Sequence, residues 1–108
     1  MAPIYLGEFE YAVLLAVLHL GEDAYAVPVR ELIEQRTGRP VAQAAVFITL
    51  KRLERKGLVL SRLDEPDSGR ARRYVTLTPD GLAAIEAHRA EHARLWQGFD
   101  RLFRAHKA

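Results

Sequence analysis

Between Leu6 and Leu20, apolar side chains fall at Phe9, Val13, Leu14, Val17, Leu18 and Leu20, close to the 3.6-residue period of a helix with a wide buried face. Gly21-Glu22-Asp23 ends that pattern. A second helix is predicted from about Val27 to Arg36, with Pro28 tolerated in its first turn and Val29, Leu32 and Ile33 turned inward. Gly38 and Pro40 then break the chain. A third helix is predicted over Ala42 to Lys56, where Val46, Leu50 and Leu53 form the core stripe and Gly57 stops it.

The period then changes from 3.6 to 2. Leu58–Leu63 and Arg73–Thr78 read as short strands, separated by nine residues, Asp64 to Arg72, that include Pro66 and Gly69. This predicts a β-hairpin with arginines at its tip. Thr78-Pro79-Asp80 supplies a hydroxyl cap, a proline in the first turn and an acid near the positive end of a helix dipole. The helix it opens is predicted to run from Pro79 to about Ala105, roughly 40 Å at 1.5 Å per residue. The expected fold is mainly α with a small β-hairpin. It divides into a winged helix-turn-helix of three helices plus wing over residues 1–78 and one long C-terminal helix over residues 79–108.

Composition narrows the function. At 108 residues, 49% hydrophobic and 28% charged, the chain is long enough to fold as one domain. It has no cysteine, which removes disulfides, thiolate nucleophiles and zinc ribbons. The longest apolar run, Tyr11 to Leu18, is far too short to span a bilayer, and no Lys or Arg precedes Arg30 to form the basic region of a secretory signal. The expectation is a soluble, cytoplasmic domain that needs no cofactor. Ser61 and Ser68 are the only serines, neither sits in a G-x-S-x-G setting, and there is no Gly-rich phosphate loop. Tyr5, Tyr11, Tyr25 and Tyr74 suit core or groove-edge positions.

Charge points elsewhere. Residues 1–29 hold four acids and no base, whereas Lys51 to Arg73 hold eight bases against four acids, Glu54, Asp64, Glu65 and Asp67. Thirteen of the sixteen basic residues are Arg, whose planar fork suits phosphate oxygens and guanine edges. The basic stretch coincides with the third helix and the hairpin tip, which is the footprint of a double-stranded DNA reader. With Val46, Leu50 and Leu53 buried, the opposite face of the third helix presents Gln43, Ala44, Phe47, Ile48, Lys51 and Arg52. Gln43 suits bidentate pairing with adenine, and Ala44 and Phe47 suit a thymine methyl. Lys51, Arg52 and Arg55 suit phosphates. Arg70, Arg72 and Arg73 at the wing suit the neighbouring minor groove, Arg73 being the most strand-bound of the three. A winged-helix module that binds protein in place of DNA has the same element order.

Three segments resemble PadR-type bacterial transcriptional regulators. They are Leu6-Gly7-Glu8-Phe9-Glu10 with Ala24 to Arg30, Ala45-Val46-Phe47 with Thr49 to Val59, and Arg73 to Gly81. The single closing helix resembles the short subclass, in which that helix makes the dimer. The resemblance implies a winged-helix repressor acting on a pseudo-palindromic operator. The family usually has Tyr at Phe47, often Ser at Ala42 and commonly Gly at Ala26, so individual contacts of the family are altered here.

The closing helix carries two sevenfold series, Ile85-His92-Phe99 and His88-Leu95-Leu102, flanked by Trp96 and Phe103. This is a seam predicted to form a homodimer. By resemblance to multidrug-responsive relatives, Trp96 and Phe99 with Val13 or Val17 would line a pocket for a small hydrophobic or aromatic effector. A constitutive repressor without a ligand is the alternative. His88-Arg89-Ala90-Glu91-His92 spells a zinc-peptidase pattern, yet no third ligand follows, so the histidines are assigned to the seam and no metal site is expected. Their titration near neutrality would make the dimer pH-dependent.

Overall fold

The computed structural model describes residues 6–65 and 69–108, so Tyr5, Pro66, Asp67 and Ser68 lie outside it. Helix α1 spans Glu8–Leu20. The Gly7 backbone N–H donates to Glu10 Oε1 at 2.9 Å, closing the first turn in the manner of a capping box. Val13, Leu14 and Val17 form its buried face. Gly21, at φ +60°, turns the chain into a short 3₁₀ segment, Gly21–Asp23. Helix α2, Ala26–Thr37, ends at Gly38 in the left-handed region, where the Gly38 N–H donates to the Glu34 carbonyl at 2.8 Å.

Helix α3, Gln43–Arg55, buries Val46, Thr49, Leu50 and Leu53. The Leu58 N–H then reaches back to the Leu53 carbonyl at 3.0 Å across Gly57. That closure aims the chain into strand β1, Val59–Asp64, which pairs antiparallel with β2, Arg72–Leu77. The register runs from Val59 opposite Leu77 to Asp64 opposite Arg72. One further bond, from the Val75 N–H to the Ala24 carbonyl at 2.9 Å, pins the hairpin to the link between α1 and α2. Leu14, Val29, Val46, Leu53, Leu58 and Val59 close the core that these elements share. The winged helix-turn-helix expected from the sequence is present, each strand lying one residue from its expected bounds.

Helix α4 spans Pro79–Trp96, and Thr78 starts it. The Thr78 hydroxyl accepts from the Gly81 N–H at 3.0 Å and donates to the Gly57 carbonyl at 2.7 Å, joining the helix cap to the α3–β1 turn. Here the expected single closing helix gives way to two. Gln97 leaves the helical region and Gly98 adopts φ +84°, so a separate helix α5, Phe99–Lys107, follows at a new angle. The left-handed conformation is open to glycine without a Cβ penalty, which is why the elbow falls there. None of α5 is buried.

Candidate nucleic-acid interface

The outer face of α3 is built by subtraction. Its apolar stripe faces the core, and Gln43, Ala44, Phe47, Ile48, Lys51, Arg52 and Arg55 are left on the exposed surface. Phe47 and Ile48 are 45% and 53% exposed, an apolar centre ringed by cations. The Lys51 ammonium stands 4.8 Å from the centroid of the Phe47 ring, a cation–π contact that orders both.

The N-terminal end of α3 is organised by α2. Ala42 precedes the helix without a side-chain cap, and a carboxylate further back closes the turn. Glu34 Oε2 accepts from the Val41 N–H at 2.8 Å, while its Oε1 accepts from Arg30 Nη1 at 2.7 Å. Arg30 Nε in turn donates to Gln43 Oε1 at 2.8 Å. Arg30 and Glu34 were not legible as site residues; their only sequence signal is the four-residue spacing of a helical ion pair.

At the other end of α3, Lys56 Nζ lies 2.8 Å from Glu10 Oε2, bracing the end of that helix against the start of α1. Burial pushes the Glu10 carboxyl up. Hydrogen bonds from Lys56 and the Gly7 N–H, with the charges of Lys56 and Arg52, outweigh that effect and hold the group below its ordinary value.

The wing differs in one respect from expectation. Of the two arginines expected in the connection, only Arg70 lies there; Arg72 joins Arg73 in β2. Arg73 Nη1 donates to Ser61 Oγ at 3.2 Å, a cross-strand role. Arg72 sits 4.9 Å from the Tyr25 ring centroid and Arg62 the same distance from Tyr74, while the two tyrosines meet edge to face at 5.4 Å. Two stacked Arg–Tyr pairs therefore tie the middle and outer end of the wing to Tyr25 at the start of α2.

The residues expected along the closing-helix seam separate. Ile85 is 6% exposed and belongs to the chain's own core, so it is not free to line a seam. His88 packs on Tyr11 of α1, ring centroids 4.2 Å apart. Val13 and Val17, expected beside an effector, are 0% and 1% exposed, sealed in the core and not lining the groove at the α4–α5 elbow. The first turns of α4 lie against α1, which takes up His88, while Val13, Val17 and Ile85 are consumed by the core that the helices and hairpin share. Beyond that point the remaining residues of the series lie together. His92, Leu95, Trp96, Phe99, Leu102 and Phe103, joined by His106, line an open groove of about 450 Å³ at the α4–α5 elbow. Trp96 meets Phe103 edge to face at 6.3 Å across it. Among the described residues there is no group of three or more His, Cys, Asp or Glu side chains able to hold a metal ion. Among the described residues, no helix is long and apolar enough to cross a membrane.

The sequence profile of the transcriptional regulator PadR-like family matches residues 14–87, more than half of the chain. The chain belongs to the PadR-like family. Its fold is that of solved family members. A PadR family transcription regulator from Clostridium difficile R20291 superposes with a TM-score of 0.76 at 20% identity, covering 90% of this chain and 99% of that one. A regulator of the family from Eggerthella lenta gives 0.69 at 27% identity, over 84% and 80% of the two chains. Bacillus subtilis PadR, solved in complex with operator DNA, gives 0.64 at 18% identity, over 73% of this chain and 45% of that one. No protein of curated function matches the sequence significantly.

Proposed function

We propose that this PadR-like regulator is a sequence-specific DNA-binding repressor that acts as a homodimer in the cytoplasm. The observation that carries the reading is the face of α3, where Gln43, Ala44, Phe47, Lys51 and Arg52 stand exposed while the opposite stripe fills the core. Such a helix enters a major groove with its first residues against base edges. Arg55 and the wing residues Arg70, Arg72 and Arg73 would meet phosphates or the adjacent minor groove. The likeness to a PadR solved on its operator supports the same reading. Repression is what the likeness to PadR regulators implies, since occupying DNA is common to repressors and activators.

The homodimer rests on the elbow. Leu95, Trp96, Phe99, Leu102 and Phe103 are all about half exposed or more, a contiguous apolar surface that monomers rarely leave to water. We assign residues 1–78 to DNA reading and residues 79–108 to association, with the first turns of α4 serving the core as well. Two-fold symmetry then calls for a pseudo-palindromic operator with half-sites ~34–36 Å apart. The same groove suits a small hydrophobic or aromatic effector, with Trp96 and Phe99 as walls.

Selection of bound duplexes from a random DNA pool tests the central reading, followed by affinity measured against salt. A two-fold symmetric consensus is expected, with log K falling linearly against log salt by about 0.9 per neutralised phosphate. Replacing Arg70 and Arg72 by Ala flattens that slope. Recovery of no preferred duplex, with binding insensitive to salt, would leave a protein-interaction module instead.

A further inference from the structure

We infer that Arg30, on α2, is a positioning residue that sets which base Gln43 reads; the inference rests on the DNA-binding reading above. Gln43 is the first residue of α3 and is exposed. A glutamine amide offers one acceptor oxygen and one NH₂ donor, and reading adenine bidentately uses both, the oxygen toward N6 and the nitrogen toward N7. In this protein the oxygen is already engaged. Arg30 Nε donates to Gln43 Oε1 at 2.8 Å, and since a guanidinium has donors only, the oxygen must be the atom turned toward α2. The NH₂ group is thereby the arm turned outward.

Arg30 does not stand alone in this geometry. Its Nη1 is held by Glu34 Oε1 at 2.7 Å, and the other oxygen of Glu34 is fixed by the Val41 N–H at 2.8 Å. The chain of bonds runs from the backbone of the α2–α3 turn through a carboxylate and a guanidinium to the first side chain of α3. Each link is charge-assisted or anchored to backbone, so the amide orientation is preset before any duplex arrives. Presenting only donors, Gln43 matches the edge richest in acceptors in the major groove, guanine with N7 and O6. The guanidinium behind it adds positive potential of the same preference. Adenine, whose N6 amino group would face a donor, is disfavoured.

Pool selection with the full chain and with Arg30→Met and Gln43→Ala tests this. The wild type is expected to prefer guanine over adenine by roughly 10-fold at one symmetric position per half-site. Gln43→Ala loses preference at that position alone. Arg30→Met frees the oxygen, and the preference moves to adenine at the same position. Its salt slope stays unchanged, because an Arg30 committed to Glu34 and Gln43 neutralises no phosphate. An Arg30→Met consensus identical to wild type overturns the inference. So does a uniform loss of affinity with a salt slope lower by about one, which marks a simple phosphate contact. Thermal melting of each variant separates either result from loss of fold. Failure of the wild type to enrich any duplex strikes the DNA-binding reading instead, so the two failures are distinct.

Discussion

Gly81 occupies a place where an alanine, ordinarily the better helix residue, does not fit. A Cβ built on Gly81 would lie 2.1 Å from the Leu58 carbonyl oxygen and 3.1 Å from both the Leu58 carbonyl carbon and Leu77 Cδ2. Ordinary contact begins near 3.4 Å, so backbone must part by more than an ångström. The Leu58 carbonyl cannot swing freely, because it accepts from the Thr78 N–H at 3.1 Å. Alanine in a helix interior gains about 1 kcal/mol over glycine. Against that, forcing a methyl into packed surroundings costs about 1–3 kcal/mol, and loss of the Thr78 bond about 1 kcal/mol more. The balance for Gly81→Ala is a net destabilisation of about 2 kcal/mol. In a domain of this size that lowers Tm by roughly 10 °C. Circular dichroism at 222 nm during thermal unfolding reads this directly. A Tm equal to or above wild type refutes the reasoning, since that is what helix propensity alone dictates.

Two further outcomes follow from local chemistry. The stability supplied by the Glu10 carboxylate is complete above its ordinary value of 4.5 and is lost as pH falls through its lowered folded value. Glu10→Gln is therefore expected to cost about 1 kcal/mol at pH 7 and to flatten the loss of Tm below pH 4.5; an unchanged acid profile refutes the role. Gly98→Ala penalises the left-handed elbow by about 1–2 kcal/mol and favours a continuous helix by about 1 kcal/mol. Helicity should rise and Trp96 emission should shift as Phe103 leaves its ring; identical spectra would show that the elbow is held by something other than glycine's freedom.

The pattern of single residues made much of this legible, and the limits have physical causes. Val46, Leu50 and Leu53 identify α3 because a periodic stripe reports directly which face is buried. The hairpin is legible from the change of period after Gly57. What periodicity does not report is what covers a face. Ile85 falls in the same sevenfold series as His92 and Phe99, yet it packs in its own core while the others stay exposed. Val13 and Val17 likewise read as apolar wall without revealing that α1 is already enclosed. Gly98 interrupts a spacing that fits an unbroken helix, and a lone glycine costs a helix only about 1 kcal/mol, too little to mark a break. The bonds that organise the ends of α3 join residues 13 and 46 apart in sequence, so only the tertiary fold brings them together.

The elbow at Gly98 has a bearing on aim as well as on shape. The α3 face, the wing and the core are complete before it, and α5 hangs beyond it with none of its residues buried. Away from Phe99, Leu102 and Phe103, changes along α5 meet no resistance from the folded body, while a change at one backbone hinge re-aims the whole segment at once. The hinge therefore sets where the apolar elbow surface points independently of the face that α3 presents.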